Sequence, residues 1–197
     1  MPNRFGQAYA LTILSPVAGG HTHGAVHALD IRAALNRVPH GADSPLARLP
    51  MLHFARFTVI DDVRLQGIPA KEDHLRSKYL VFVADFDGDL DPFLDSLASN
   101  ACDLVSSVWQ YCEAFPGLTD RAQFRSYMHR CQVTSTFPFG AYAGTPLRDV
   151  LRAVDTQRRF IRFLERSQGA RGDALQRDFQ GLVGELANAP LPAPGTV

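Results

Sequence analysis

Two stretches constrain this chain more than any others, PMLHFARFTVID (50–61) and KYLVFVADFDG (78–88). Each reads as a β-strand that is apolar on both faces. A strand with one buried face alternates apolar and polar residues, and these barely alternate. Both sides of the sheet they form must therefore be covered. Within them lie His53, Arg56, Asp85 and Asp87. Placing such groups in apolar surroundings costs free energy unless each finds a partner, so they mark the candidate site.

The remaining elements follow from periodicity and punctuation. Tyr9–Leu14 is a short apolar strand ended by Ser15-Pro16 and Gly19-Gly20. A helix is expected from about Ala25 to Val38, with Val26, Leu29, Ala33 and Ala34 inward and Arg32, Asn36 and Arg37 outward. Between the two long strands, Asp62 to Ser77 is a charged connection too long for a tight hairpin. Asp89-Leu-Asp-Pro92 starts a helix whose stripe runs Leu94, Leu97, Ala101, Leu104, Val105, Val108 and Cys112. Thr119-Asp120 caps a shorter helix carrying Phe124, Tyr127, Met128 and Cys131. Val133 to Tyr142 reads as a fourth strand, confined to a sheet edge because Pro138 lacks the ladder amide. Thr145-Pro146 opens a long helix, and Asp173 caps a last one. Residues 1–188 are expected to form one domain, with 189–197 as a flexible tail.

The order strand, helix, strand, strand, helix, strand is the split βαβ, or ferredoxin-like, arrangement, an α+β fold with sheet order 4-1-3-2 and extra C-terminal helices. Its helices cover one sheet face. The apolar outer face then calls for a partner, which a second copy of the sheet would supply.

With that element order, and with the His53–Phe57 and Phe86–Gly88 strands, the chain resembles the dimeric α+β barrel superfamily over roughly Tyr9 to Tyr142. That superfamily includes cofactor-free quinone-forming monooxygenases, haem-degrading monooxygenases, lactone isomerases, chlorite-dismutase-like haem proteins and dye-decolourising peroxidases. The resemblance implies a homodimer and a small apolar or aromatic molecule bound against the sheet. It also implies a monooxygenase- or peroxidase-like oxidoreductase, with haem or without a cofactor. The peroxidases' Gly-x-x-Asp-Gly motif lacks its first glycine here, where Ala84-Asp85-Phe86 precedes Asp87-Gly88, so its catalytic aspartate is not carried over.

His53 has an ordinary pKa near working pH and suits a general base, a haem ligand or a hydrogen-bond donor to a carbonyl. The alternative is a core histidine satisfied by a backbone carbonyl. Arg56 suits a carboxylate or a haem propionate, against the alternative of an ion pair with Asp85 or Asp87. Asp85 and Asp87 share one strand face, where close carboxylates push one pKa upward and yield an acid and a base. Asp87 and Asp89 also suit helix caps. In a regular strand Met51, His53, Ala55, Phe57 and Val59 share one face, and Leu52, Phe54, Arg56, Thr58 and Ile60 the other. His53 and Arg56 then point to opposite sides unless a bulge intervenes. Phe57 and Tyr142 are the candidate substrate-binding aromatics.

His21, His23 and His27 form the histidine cluster. The four-residue spacing of His23 and His27 suits zinc, nickel or copper on a helix, but no glutamate completes a zinc-protease motif. Arg158, Arg162 and Arg166 recur every four residues, which reads as a solvated helix face, since no aromatic platform for RNA accompanies them. Twenty Lys and Arg balance twenty Asp and Glu, which argues against a nucleic-acid binder driven by overall charge. The basic charge is almost wholly arginine, a mark of a GC-rich bacterial genome. No apolar run has the length of a signal peptide or a membrane span, and the three cysteines show no Cys-x-x-Cys pair. A cytoplasmic protein is expected. The same features also fit a non-catalytic module that binds a ligand or a protein through its added helices and the 62–77 connection.

Overall fold

The computed structural model describes residues 3–63, 67–68, 74–142 and 144–196, with the backbone alone at 20–23. It is an α+β chain with an open, four-stranded antiparallel sheet and six α-helices among the described residues. The strands are β1 (Arg4–Phe5), β2 (Ala8–Pro16), β3 (Leu52–Ile60) and β4 (Tyr79–Asp87), in the sheet order β1-β2-β4-β3. The helices are α1 (Gly20–Leu35), α2 (Leu90–Asn100), α3 (Cys102–Trp109), α4 (Arg121–Cys131), α5 (Leu147–Arg166) and α6 (Asp173–Asn188).

The three long strands stand where their apolar runs predict them. β4 is central, with Leu80, Phe82, Ala84 and Phe86 facing the core alongside Leu11 and Ile13 of β2. Phe93, Leu94 and Leu97 of α2, Val105, Val108 and Trp109 of α3 and Phe124 and Met128 of α4 close that core from one side. The helical stripe from Leu94 to Val108 is buried as expected, but it is broken at Ala101 (φ −126°, ψ 32°) into two helices. Asp120 caps α4 as predicted, accepting from the amides of Ala122 and Gln123 at 2.9 and 3.0 Å.

The fourth strand is a correction. Residues 133–142 form no strand, and the sheet's fourth member is the two-residue β1. The reason lies in competition for one edge. The chain arrives antiparallel to β2, bridging Gln132 to Ile13 and donating the Val133 amide to the Thr12 carbonyl at 2.8 Å. Continuing would bring it alongside Ala8 and Tyr9. There β1 is already paired, Arg4 with Tyr9 and Phe5 with Ala8, across a tight turn with Gly6 at φ 64°. Asn3 adds to the block, its carbonyl accepting from Ala10 and its side chain from the Ser135 amide. Pro138 offers no amide beyond that point. The segment lifts away and crosses the opposite face of the sheet.

The inward face of α1 is the second correction. Val26 and Leu29 are 57 % and 64 % exposed, while Ala28 and Ile31 are buried. Arg32, expected outward, sets the rotation by reaching the Asp61 carboxylate and the Val59 carbonyl at the end of β3. The helix thus buries Ala28 and Ile31 and leaves Val26 and Leu29 in solvent.

The face of the sheet away from α1–α4 carries Ala10, Thr12 and Leu14 of β2, Val81, Val83 and Asp85 of β4, and Phe54, Arg56 and Thr58 of β3. Among the described residues, Leu14, Val81 and Val83 pack on no part of the core. Among the described residues only the end near Ala8 and Asp85 is overlaid, by 139–142 and the start of α5. α5 and α6 pair as a hairpin that buries Phe163 and Leu182 and leaves Phe160, Ile161, Leu164, Phe179 and Val183 exposed. Arg159, held by Asp155 of its own helix at 2.7 Å, reaches Glu185 of α6 at 4.0 Å, and Arg158 donates to the Thr196 carbonyl at 3.2 Å. Among the described residues no helix is long and apolar enough to cross a membrane.

Candidate active site

The site is built on a break in the β3–β4 ladder. Leu52 pairs with Phe86 and Phe54 with Asp85, so His53 is an extra residue, a β-bulge. The bulge puts His53 on the same side of the sheet as Phe54 and Arg56, which a regular strand forbids. His53 Nε2 donates to Asp87 Oδ1 at 2.8 Å. The second oxygen of Asp87 accepts from the Leu147 amide at 2.7 Å. Asp87 thus ties the imidazole to the N-terminus of α5, where backbone dipoles favour a carboxylate. A cap was expected of this residue, but for the helix that follows it. Asp89 takes the N-cap position of that helix, and its carboxylate pairs with Arg4.

Above the dyad lies a cleft of about 190 Å³, lined by Phe5, Ala8, His53, Phe54, Asp85 and the segment 139–142. Gly140 makes this overlay possible, because a Cβ there would meet the Phe5 ring at 2.4 Å. His53 and Phe54 also wall a second groove of about 360 Å³, which runs toward Leu46, Leu147, Leu151 and the tail at Pro194 and Gly195. A histidine held by a carboxylate therefore stands between two clefts that together reach the size of an ordinary ligand pocket.

Asp85 is the third member. Its carboxylate makes no ion pair or hydrogen bond among the described residues, and burial raises its pKa against the opposing pull of His53. The two carboxylates differ sharply in setting, one doubly hydrogen-bonded and one bare. A raised carboxyl pKa makes the ionised form a burden on the fold. The penalty is fully present above the folded pKa and vanishes below the unfolded one, so stability declines as pH rises through that window. Asp85→Asn is therefore expected to raise the melting temperature at pH 8 and to leave it unchanged near pH 3. A calorimetric scan at the two pH values checks this, and a variant melting lower at pH 8 contradicts it.

Of the residues singled out in the sequence, His53, Asp85 and Tyr142 meet in this cleft. Arg56 lies farther along the same sheet face, opposite Val83, and makes no ion pair among the described residues, with Asp85 and Asp87 included. Phe57 lies on the core face, against Phe82 at 4.7 Å and Trp109 at 5.7 Å between ring centres. It does not line the cleft. Phe54, Phe5 and Phe139 supply the aromatic walls instead, a role that regular alternation hid by placing Phe54 on the side opposite His53. The His21 and His23 side chains lie outside the described residues. His27 donates through Nδ1 to the Ala18 carbonyl at 2.9 Å and meets the Tyr111 ring at a tilt, 5.6 Å between centroids. No group of three or more metal-ligating side chains forms among the described residues.

The fold and site thus define an α+β chain with one open sheet face and a His–Asp pair at its end. No protein-family model, curated protein or solved structure matches this chain.

Proposed function

We propose that this chain is a small-molecule oxidoreductase of the cofactor-free monooxygenase type, acting on an aromatic substrate bound against the open sheet face. The observation that carries this reading is the His53–Asp87 pair at the wall of an aromatic cleft. Asp87 holds the imidazole in one orientation and stabilises the imidazolium that forms when it accepts a proton. An aromatic hydroxyl that gives its proton to His53 becomes electron-rich enough to react with dioxygen; the substrate supplies all four electrons as it gains one oxygen atom and loses two hydrogens to become a quinone, and the second oxygen leaves with those hydrogens as water. Asp85 stands beside the same cleft. With Nε2 engaged by Asp87, His53 is poorly placed to ligate haem, which favours the branch without a cofactor.

In this reading the sheet adopts the pairing of a dimeric α+β barrel, the bare middle of its outer face meeting that of a second copy. The β1 strand then replaces the usual fourth strand at the sheet edge. Three free thiols suit a reducing, cytoplasmic setting. Oxygen uptake with a panel of hydroxylated aromatic compounds tests the chemistry. Uptake by the native protein, reduced about 10²–10⁴-fold in His53→Ala, is the expected result. Equal rates in the two proteins, or no uptake with any compound, would leave the non-catalytic module. That second reading draws on the exposed Phe160, Ile161, Leu164, Phe179 and Val183 of the α5–α6 hairpin, which form a contact surface of their own.

A further inference from the structure

We propose that the ligand of this cleft is an organic ammonium ion, its charge held by Asp85 and by the faces of Phe54, Phe139 and Tyr142. This inference deepens the proposed function and rests on the cleft being the ligand site. Four aromatic rings line about 190 Å³ of space, those of Phe5, Phe54, Phe139 and Tyr142. Three of them remain open to solvent, Phe54 at 49 %, Phe139 at 79 % and Tyr142 at 76 %. Aromatic side chains set around an open space are the usual frame for a quaternary or protonated amine, because the ring faces carry negative potential. Apolar walls alone would suit a hydrocarbon equally well.

The deciding group is Asp85. It stands on the central strand between Ala10 and Phe54, partly withdrawn from water and without an ion-pair or hydrogen-bond partner among the described residues. Among the described residues the one basic side chain lining the cleft is His53, and that ring is committed to Asp87 at 2.8 Å. Arg4, the cation next to Phe5, is committed to Asp89. Arg56, on the same sheet face, forms no pair with Asp85. With the imidazole taken by Asp87, Asp85 is the carboxylate of the cleft left without a cation among the described residues. A ligand cation takes that place, and its alkyl groups cover the exposed rings at the same time. The aromatic part of such a ligand then extends toward His53 and Phe54, where the proton is taken.

Titration calorimetry with phenyltrimethylammonium, benzyl alcohol and benzoate tests this. The cation is expected to bind about tenfold or more tighter than the neutral alcohol, with benzoate weakest. Asp85→Asn is expected to weaken the cation by at least about tenfold and to leave benzyl alcohol within about twofold. Tyr142→Leu, on an exposed loop, weakens the cation selectively without touching the sheet. Equal affinities for the cation and the alcohol, or a cation affinity untouched by either variant, overturn the ammonium assignment and leave the cleft as a ligand site. If none of the three compounds binds, the cleft itself is not the site, and both readings fall.

Discussion

Trp109→Ala is expected to destabilise the fold by about 3–5 kcal/mol, the range for removing a large buried ring. Trp109 is the chain's single tryptophan and is fully buried at the end of α3. Its ring meets Phe57 and Phe82 edge-on, with centroids 5.7 and 5.5 Å apart. These contacts join β3, β4 and α3 at one point. The indole Nε1 also donates to Ser15 Oγ at 3.1 Å, and Ser15 has no exposed surface. Alanine removes the ring, opens a cavity between two aromatics and leaves a buried hydroxyl without its donor. Trp109→Phe separates the two losses. It restores most of the volume but not the donor, so about 1–3 kcal/mol is expected. Urea denaturation followed by far-ultraviolet circular dichroism reads both variants. An alanine variant as stable as the parent would mean that this three-way junction does not exist.

The same junction shows what was legible in the chain and why. Phe82 and Leu80 lie in an apolar run that any sheet must bury, and Val105 and Val108 repeat at helical spacing. Such patterns are local, and they place β2, β3, β4 and the α2–α3 stripe. What stayed hidden depends on relations between distant residues. The rotation of α1 follows from Arg32 finding Asp61, and its own apolar residues offer two faces rather than one stripe. The loss of the strand at 133–142 follows from β1, only two residues long, taking its place beside Ala8 and Tyr9. The bulge at His53 has no compositional mark, since neither glycine nor proline sits there. That one extra residue shifts the faces of β3, which is why Phe57 seemed to accompany His53 while Phe54 does so in fact. The link from Asp87 to Leu147 spans sixty residues and was beyond any local pattern. The candidate site was legible as a set of ionisable groups in apolar strands; its geometry was not.

Val83→Arg is expected to split the homodimer proposed above while leaving the chain folded. Val83 sits on the central strand, between Thr12 and Arg56, at the middle of the outer sheet face. In a single chain that position reaches water, and a long arginine can lay its stem over Leu14 and Val81 with its head in solvent. In a face-to-face pair the same arginine is enclosed, and two-fold symmetry encloses it twice. It also stands beside Arg56, which finds no carboxylate partner within its own chain among the described residues. Each uncompensated buried charge costs several kcal/mol, so a loss of about 10³-fold or more in dimer affinity is expected. Light scattering on a sizing column decides the matter. The parent should elute at twice the 21.7 kDa of the chain, and the variant at 21.7 kDa, with the far-ultraviolet circular dichroism of a folded chain and a cooperative melt, lowered by the lost association. A parent that is already monomeric, or a variant that remains dimeric, would show that the sheet faces do not meet. The apolar row of Leu14, Val81 and Val83 would then need another cover, and a cleft at the end of a face that no second copy roofs would lose its shelter from bulk water.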